Sequence, residues 1–204
     1  MYGLVNQAFE DLAVRLGGRE LWLRIVERAD HDVPVFVAME TYDDAITYSL
    51  VEAASEVLGL SPDQVLEAFG EHWIRYTGNN GYGPLLSAMG TTLPQFLGNL
   101  DMMHSRIALN MAALRPPSFA CEELEEGRLL VRYWSDRPGL APFVTGILRG
   151  LGSLLDLHVT VTLTDPRPQG ADHDTFMVTF EPLVASDTGG AGALASHDTA
   201  PTPA

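Results

Sequence analysis

The sequence predicts an α+β protein, with a helical subdomain first and a proximal subdomain of helices and a four-stranded antiparallel sheet after it. Three observations predict this. Apolar residues recur at helical spacing through the first two thirds of the chain. Two segments there open with capping-box patterns. After Arg115-Pro116-Pro117 the pattern changes to short stretches of alternating residues separated by turn residues, with one helical stretch among them. The 204 residues fit one domain. We assign residues 1–184 to it and read 185–204, rich in Gly, Ala, Ser, Thr and Pro, as a disordered tail.

Leu4, Ala8, Leu12 and Leu16 line one helical face, which Gly17-Gly18 should end. A second short helix carries Leu21, Ile25 and Val26 to about Ala29, and Val33 to Met39 forms an apolar connector. Tyr42 to Leu58 is helical, closed by Gly59. Ser61-Pro62-Asp63-Gln64 starts a helix that runs to about Tyr76, and a short helix follows over Tyr82 to Met89. Thr92-Leu93-Pro94-Gln95 opens another, expected to run to about Leu114. Strands are expected over Phe119 to Leu124 and Arg128 to Ser135, a helix over Leu140 to Leu155, and strands over His158 to Leu163 and Thr175 to Phe180.

Composition narrows function by exclusion. The formal charge is −15, which repels phosphate backbones and anionic lipid, so neither nucleic acid nor a membrane surface is an expected partner. All twelve basic residues are arginine. Without lysine there is no P-loop lysine and no Schiff base. Cys121 stands alone, so neither an internal disulfide nor a cysteine zinc site is possible, and it reads as a small, partly buried side chain. No apolar run is long enough to span a bilayer, and the first ten residues do not read as a secretory signal. A cytoplasmic protein is expected. No Gly-x-Ser-x-Gly elbow or HExxH motif points to an enzyme.

Six histidines are present. Five read as surface residues or hydrogen-bonded fillers. His104 differs, because Leu93, Leu97, Leu100, His104, Ile107, Met111 and Leu114 form one stripe spaced by three and four. A core histidine satisfied by hydrogen bonds is the plain explanation of that spacing. The alternative is a metal ligand facing an apolar cavity. One histidine does not suit zinc, which takes three or four protein ligands. It does suit a porphyrin, which brings four nitrogens of its own.

Several fragments then occur in a familiar order: Met1-Tyr2-Gly3-Leu4-Val5, Leu97 to His104, Leu114-Arg115-Pro116-Pro117, and Tyr133-Trp134-Ser135-Asp136-Arg137. With these, the chain resembles the heme–nitric oxide/oxygen binding (H-NOX) family, which includes the heme domain of soluble guanylate cyclase. The resemblance covers about Met1 to Pro182 and fits the stand-alone bacterial type. It implies a heme b (iron protoporphyrin IX) between the two subdomains, with His104 on the iron.

Tyr133 and Ser135 are two apart on a strand and project to one face, with Arg137 just beyond. The resemblance makes these three a clamp on the heme propionates, for which a guanidinium and two hydroxyls are suited. It makes Pro117 a residue pressing on the porphyrin, besides ending a helix. Oxygen-binding members carry a distal tyrosine in the helix after this signature. Here Phe143 best matches that position, with Val5 and Trp73 as expected neighbours. Bound oxygen gains from a hydrogen-bond donor, and nitric oxide much less. The implied function is a non-enzymatic sensor of nitric oxide and CO with weak or no oxygen binding. It would signal through strain or loss of the His104–iron bond to a separate protein, such as a histidine kinase or diguanylate cyclase. Gly70 is a candidate hinge. The competing reading is a heme-free module that binds a hydrophobic small molecule in the same cavity.

Overall fold

A computed structural model describes residues 1–30, 35–166 and 172–183. Its elements are α1 (Gly3–Ala29), α2 (Asp44–Leu58), α3 (Pro62–Thr77), a π-helical turn (Gly78–Tyr82), α4 (Gly83–Ser87), α5 (Leu93–Ala108), β1 (Ser118–Glu125), β2 (Arg128–Trp134), α6 (Ala141–Leu154), β3 (Leu157–Asp165) and β4 (Asp174–Pro182). The strands form one antiparallel sheet in the order β1-β2-β4-β3. This is the expected α+β architecture. The expected tail and residues 33–34 of the connector lie outside the described residues.

Local chemistry sets most boundaries. Ser61 and Gln64 form the reciprocal capping box at the start of α3. At α5 the Thr92 hydroxyl accepts from the Gln95 amide. Gly59 closes α2 at φ 68°, a conformation that glycine adopts without steric cost. Gly17 and Gly18 leave helical geometry, Gly18 at φ 71°, so α1 consists of two helices joined across a kink, as expected.

α5 is shorter than expected. Beyond Ala108 the chain tightens into i→i+3 bonds, from the Leu109, Asn110 and Met111 amides back to Arg106, Ile107 and Ala108. The Ala113 amide then donates to the Tyr2 hydroxyl 3.1 Å away. Met111 is buried, so the apolar pattern continues past the point where the helix ends.

Burial divides into two cores. One is helical: Phe9, Trp22 and Ile25 of α1, Leu50 and Val51 of α2, and Val65, Leu66 and Phe69 of α3. The other packs Leu93, Phe96, Leu97 and Leu100 of α5 and Leu148 and Leu151 of α6 onto Leu129, Val131, Phe176 and Val178 of the sheet. Trp73 packs against both. α3 and α6 hold the two halves together through direct backbone contact. A Cβ on Gly70 would fall 2.1 Å from the Phe143 carbonyl oxygen, and one on Gly146 2.0 Å from that of Glu67. Gly70 therefore has a packing role here: it lets the two helices touch.

Candidate functional site

His104 lies on α5, one turn after Asp101. Its Nδ1 is buried without a hydrogen bond, which is costly for a polar atom unless something else takes it up. Burial pulls the imidazole below its ordinary pKa, and the Asp101 carboxylate and the Pro117 backbone oppose that shift only in part. The ring is thus neutral near pH 7, the form that can give a lone pair to a metal.

Asp101 fixes this end of α5. Its carboxylate accepts from the Ser118 hydroxyl at 2.5 Å and the Phe119 amide at 3.1 Å, tying the helix to the start of β1. The two prolines end the preceding segment, and Pro117 enters β1 with its backbone beside His104. Residues 104 and 117 are therefore neighbours.

The Tyr133, Ser135 and Arg137 group also comes together. Tyr133 is buried on the core face of β2, and Ser135 falls one residue past the strand, which ends at Trp134. Tyr133 and Ser135 share a side-chain hydrogen bond, and burial outweighs it in pushing the phenol up. The Arg137 amide donates to the Ser135 hydroxyl at 3.1 Å. The Arg137 guanidinium reaches across to α2. Its Nε and Nη2 donate to the Asp44 carboxylate at 2.7 and 3.4 Å, and Nη1 donates to the Arg115 carbonyl at 2.9 Å.

Asp44 also receives the Met1 amine at 2.5 Å, and these two cationic partners hold its carboxyl below the usual range. The Tyr48 hydroxyl donates to the Pro138 carbonyl at 2.9 Å. Arg137 thus links the segment after β2 to the helical half. Sequence reasoning missed Asp44, Asp101 and the Met1 amine, whose partners lie 17 to 93 residues away.

Phe143 stands in the first turn of α6, half-buried, with its ring 5.0 Å from Phe69; Phe69 meets Phe9 edge-on at 5.1 Å. Val5 and Phe143 pack on the helical core, which Trp73 also touches.

The remaining histidines divide. His158 is exposed on β3, and His173 pairs with Asp172 at 2.5 Å and lies against the Trp134 ring. His31 and His197 lie outside the described residues. His72 departs from the surface-or-bonded expectation. It is 3% exposed, and its Nε2 lies 2.9 Å from the Asp11 carboxylate but off the line of a hydrogen bond. Cys121 is free and half-buried. Among the described residues no cluster of three or more His, Cys, Asp or Glu could hold a bare metal ion, and no helix is long and apolar enough to cross a membrane.

One half-buried, neutral histidine without companion ligands fits a group that brings the rest of its coordination sphere with it. An α+β fold with a helical half and a sheet half, and such a histidine on the sheet-side core helix, is the architecture of a heme-binding gas-sensor domain. Residues 2–163 match the family model described as Haem-NO-binding, and the chain belongs to that family.

Relatives and solved structures agree. The chain is 32% identical over 211 residues to soluble guanylate cyclase gcy-34 of Caenorhabditis elegans, covering 96% of this chain and 31% of that protein. It is 35% identical to soluble guanylate cyclase gcy-32 of the same organism, covering 80% and 24%. It therefore spans less than a third of the length of these relatives. In structure it resembles an H-NOX protein from S. oneidensis in the Fe(II)NO ligation state (TM-score 0.78, 19% identity, 89% of this chain and 99% of that one). It also resembles an oxygen-binding H-NOX domain related to soluble guanylate cyclases (TM-score 0.73, 16% identity, 91% and 98%).

Proposed function

We propose that this chain is a sensor of nitric oxide and CO that holds heme b on His104 and passes its signal to a separate protein in the cytoplasm. The observation that carries the reading is the buried, unpartnered Nδ1 of His104, on a neutral ring against the backbone of Pro117. A bound heme supplies the iron at which a diatomic gas binds. His104 would hold the group, and strain or loss of that bond would carry the signal. Pro117 would press on the ring beside it.

Tyr133, Ser135 and Arg137 would hold the propionates. The bonds from Arg137 to Asp44 and to the Arg115 carbonyl support this role by fixing its guanidinium beside Ser135. On the opposite side Val5, Trp73 and Phe143 would surround the gas. Phe143 is packed among Phe69 and Phe9 and offers no hydrogen-bond donor, which favours nitric oxide over oxygen. The histidine kinase and diguanylate cyclase classes remain the proposed effectors.

Anaerobic absorption spectroscopy of the reduced protein tests this. A Soret band that shifts with nitric oxide, stays unchanged in air, and is lost or moved in His104→Ala supports it. No Soret band after reconstitution with heme would overturn it and leave the heme-free hydrophobic-ligand module.

A further inference from the structure

Two glycine turns in the helical half leave a space beside them. Gly17 and Gly18 take α1 out of helical geometry just after Leu16, and Gly59 closes α2 just before Leu60. Between these turns lies a cavity of about 30 Å³. Its floor includes Phe9, Ala13 and Ile25 of α1 and Ala54 of α2, all buried, while Leu16 and Leu60, 60% and 41% exposed, stand at its mouth. The two alanines are too small to fill the space that their helices leave. Every side chain that lines it is apolar. A water there would have no side-chain partner for its hydrogen bonds, and cavities of this kind stay dry and take up small apolar guests. The volume admits about one or two molecules the size of water. A drug-sized ligand needs roughly 300–1,000 Å³. Size and lining together select a small, uncharged, weakly hydrated molecule, a description that a diatomic gas meets.

We propose that this cavity is an entry site, where nitric oxide or CO rests before crossing to the side that binds gas. The proposal rests on the sensor reading above and adds a route to it. Phe9 lines the inner end of the cavity, its ring meets Phe69 edge-on at 5.1 Å, and Phe69 lies 5.0 Å from Phe143. Three rings thus lead from the cavity to the residue proposed to face the gas. Core side chains change rotamer, so turning of Phe9 and Phe69 opens gaps that a diatomic can pass and that an ion or a larger solute cannot. A gas loses little on leaving water and gains dispersion contacts with the lining. A site on the route, away from the iron, governs rates. Raising a barrier there slows entry and exit alike and leaves the affinity unchanged.

Xenon, a guest of small apolar cavities, is the first probe. Crystals of the heme-loaded full chain under xenon pressure should hold xenon against Phe9, Ala13 and Ala54. Ala54→Leu puts its side chain into the cavity and should abolish that binding. Flash photolysis of the CO complex then tests the route. Ala68 lines the cavity from an exposed position, so Ala68→Trp covers it and spares the core. Both variants should slow CO association and dissociation by the same factor, roughly threefold or more, with the affinity unchanged. Far-UV circular dichroism and the Soret band, both unchanged, would show that the variants fold. No xenon in the wild-type cavity, or wild-type CO rates in both variants, would overturn the proposal, and a Soret band that responds to nitric oxide would leave the sensor reading standing. A loss of CO affinity as large as the loss of association rate would put the effect at the iron and also overturn it. No Soret band would overturn the sensor reading and the entry role with it, even with xenon in the cavity.

Discussion

The two sides of the proposed site differ in what fixes them. On the His104 side the framework is polar and directional: Asp101 bonds α5 to the start of β1, Pro117 lies against the imidazole, and Tyr133, Ser135 and Arg137 form a bonded group that reaches Asp44 and the Met1 amine. On the other side Val5, Trp73 and Phe143 come from three helices and sit among apolar neighbours, with Phe9, Phe69 and Phe143 in ring contact. Directional bonds hold a group at one position, whereas apolar packing shapes a space without preferring a charge distribution. We propose that the first side anchors the group and the second selects a gas by size and by its few hydrogen-bond donors, the Trp73 indole N–H being one.

Changing one residue on the apolar side should blur this contrast most. Phe143→Tyr brings a hydroxyl to a place that has none, and oxygen affinity should rise about ten- to hundredfold, the worth of one good hydrogen bond. Spectra of the reduced protein in air would report it. No oxygen complex in this variant would mean that Phe143 does not face the gas.

The seam between the halves should be the next most sensitive place. Gly70→Ala pushes a methyl group into the Phe143 carbonyl and should cost about 2 kcal/mol of stability. Because that carbonyl belongs to Phe143, which we propose faces the gas, the same variant should alter gas binding, and urea denaturation with parallel ligand titration would separate the two effects. Arg137→Ala removes the link to Asp44 and the Arg115 carbonyl. Arg137 is part-exposed, so the stability loss should be only about 1 kcal/mol. Loss of heme to excess apomyoglobin should nevertheless quicken if Arg137 holds a propionate as proposed.

The smallest effect is a pH effect away from the site. Burial depresses the pKa of His72, and the nearby Asp11 carboxylate offsets this only in part, with Arg15 and Arg75 adding to the depression. A histidine with a folded pKa below its unfolded one is protonated more readily on unfolding. It therefore subtracts stability as pH falls below its ordinary value of about 6.5. Thermal melts at pH 7 and pH 5 should show a smaller acid loss in His72→Phe than in the wild type.

Much of this was legible in the chain, and what was not has physical reasons. The caps at Ser61 and Thr92 and the alternation along β2 to β4 are local codes, read within a few residues. His104 was legible because its helix repeats. The end of α5 was misjudged because Met111 is buried on a non-helical backbone, so burial and helical period part company there. Asp44 looked like an ordinary residue in the first turn of a helix, where acidic side chains are common. Its pairing with Arg137 exists only through the tertiary fold, and no spacing rule encodes it. His72 was not singled out for a related reason: its burial and its pairing with Asp11 depend on α1 crossing it, which the pattern of α3 alone does not reveal.

The most direct measurement of the central claim is the anaerobic ferrous spectrum of wild type and His104→Ala, each with and without nitric oxide. The account predicts a Soret band in the wild type that shifts with nitric oxide, and its loss or displacement in His104→Ala. An identical Soret band and an identical response to nitric oxide in the two proteins would show that His104 does not hold the iron, and would contradict the account.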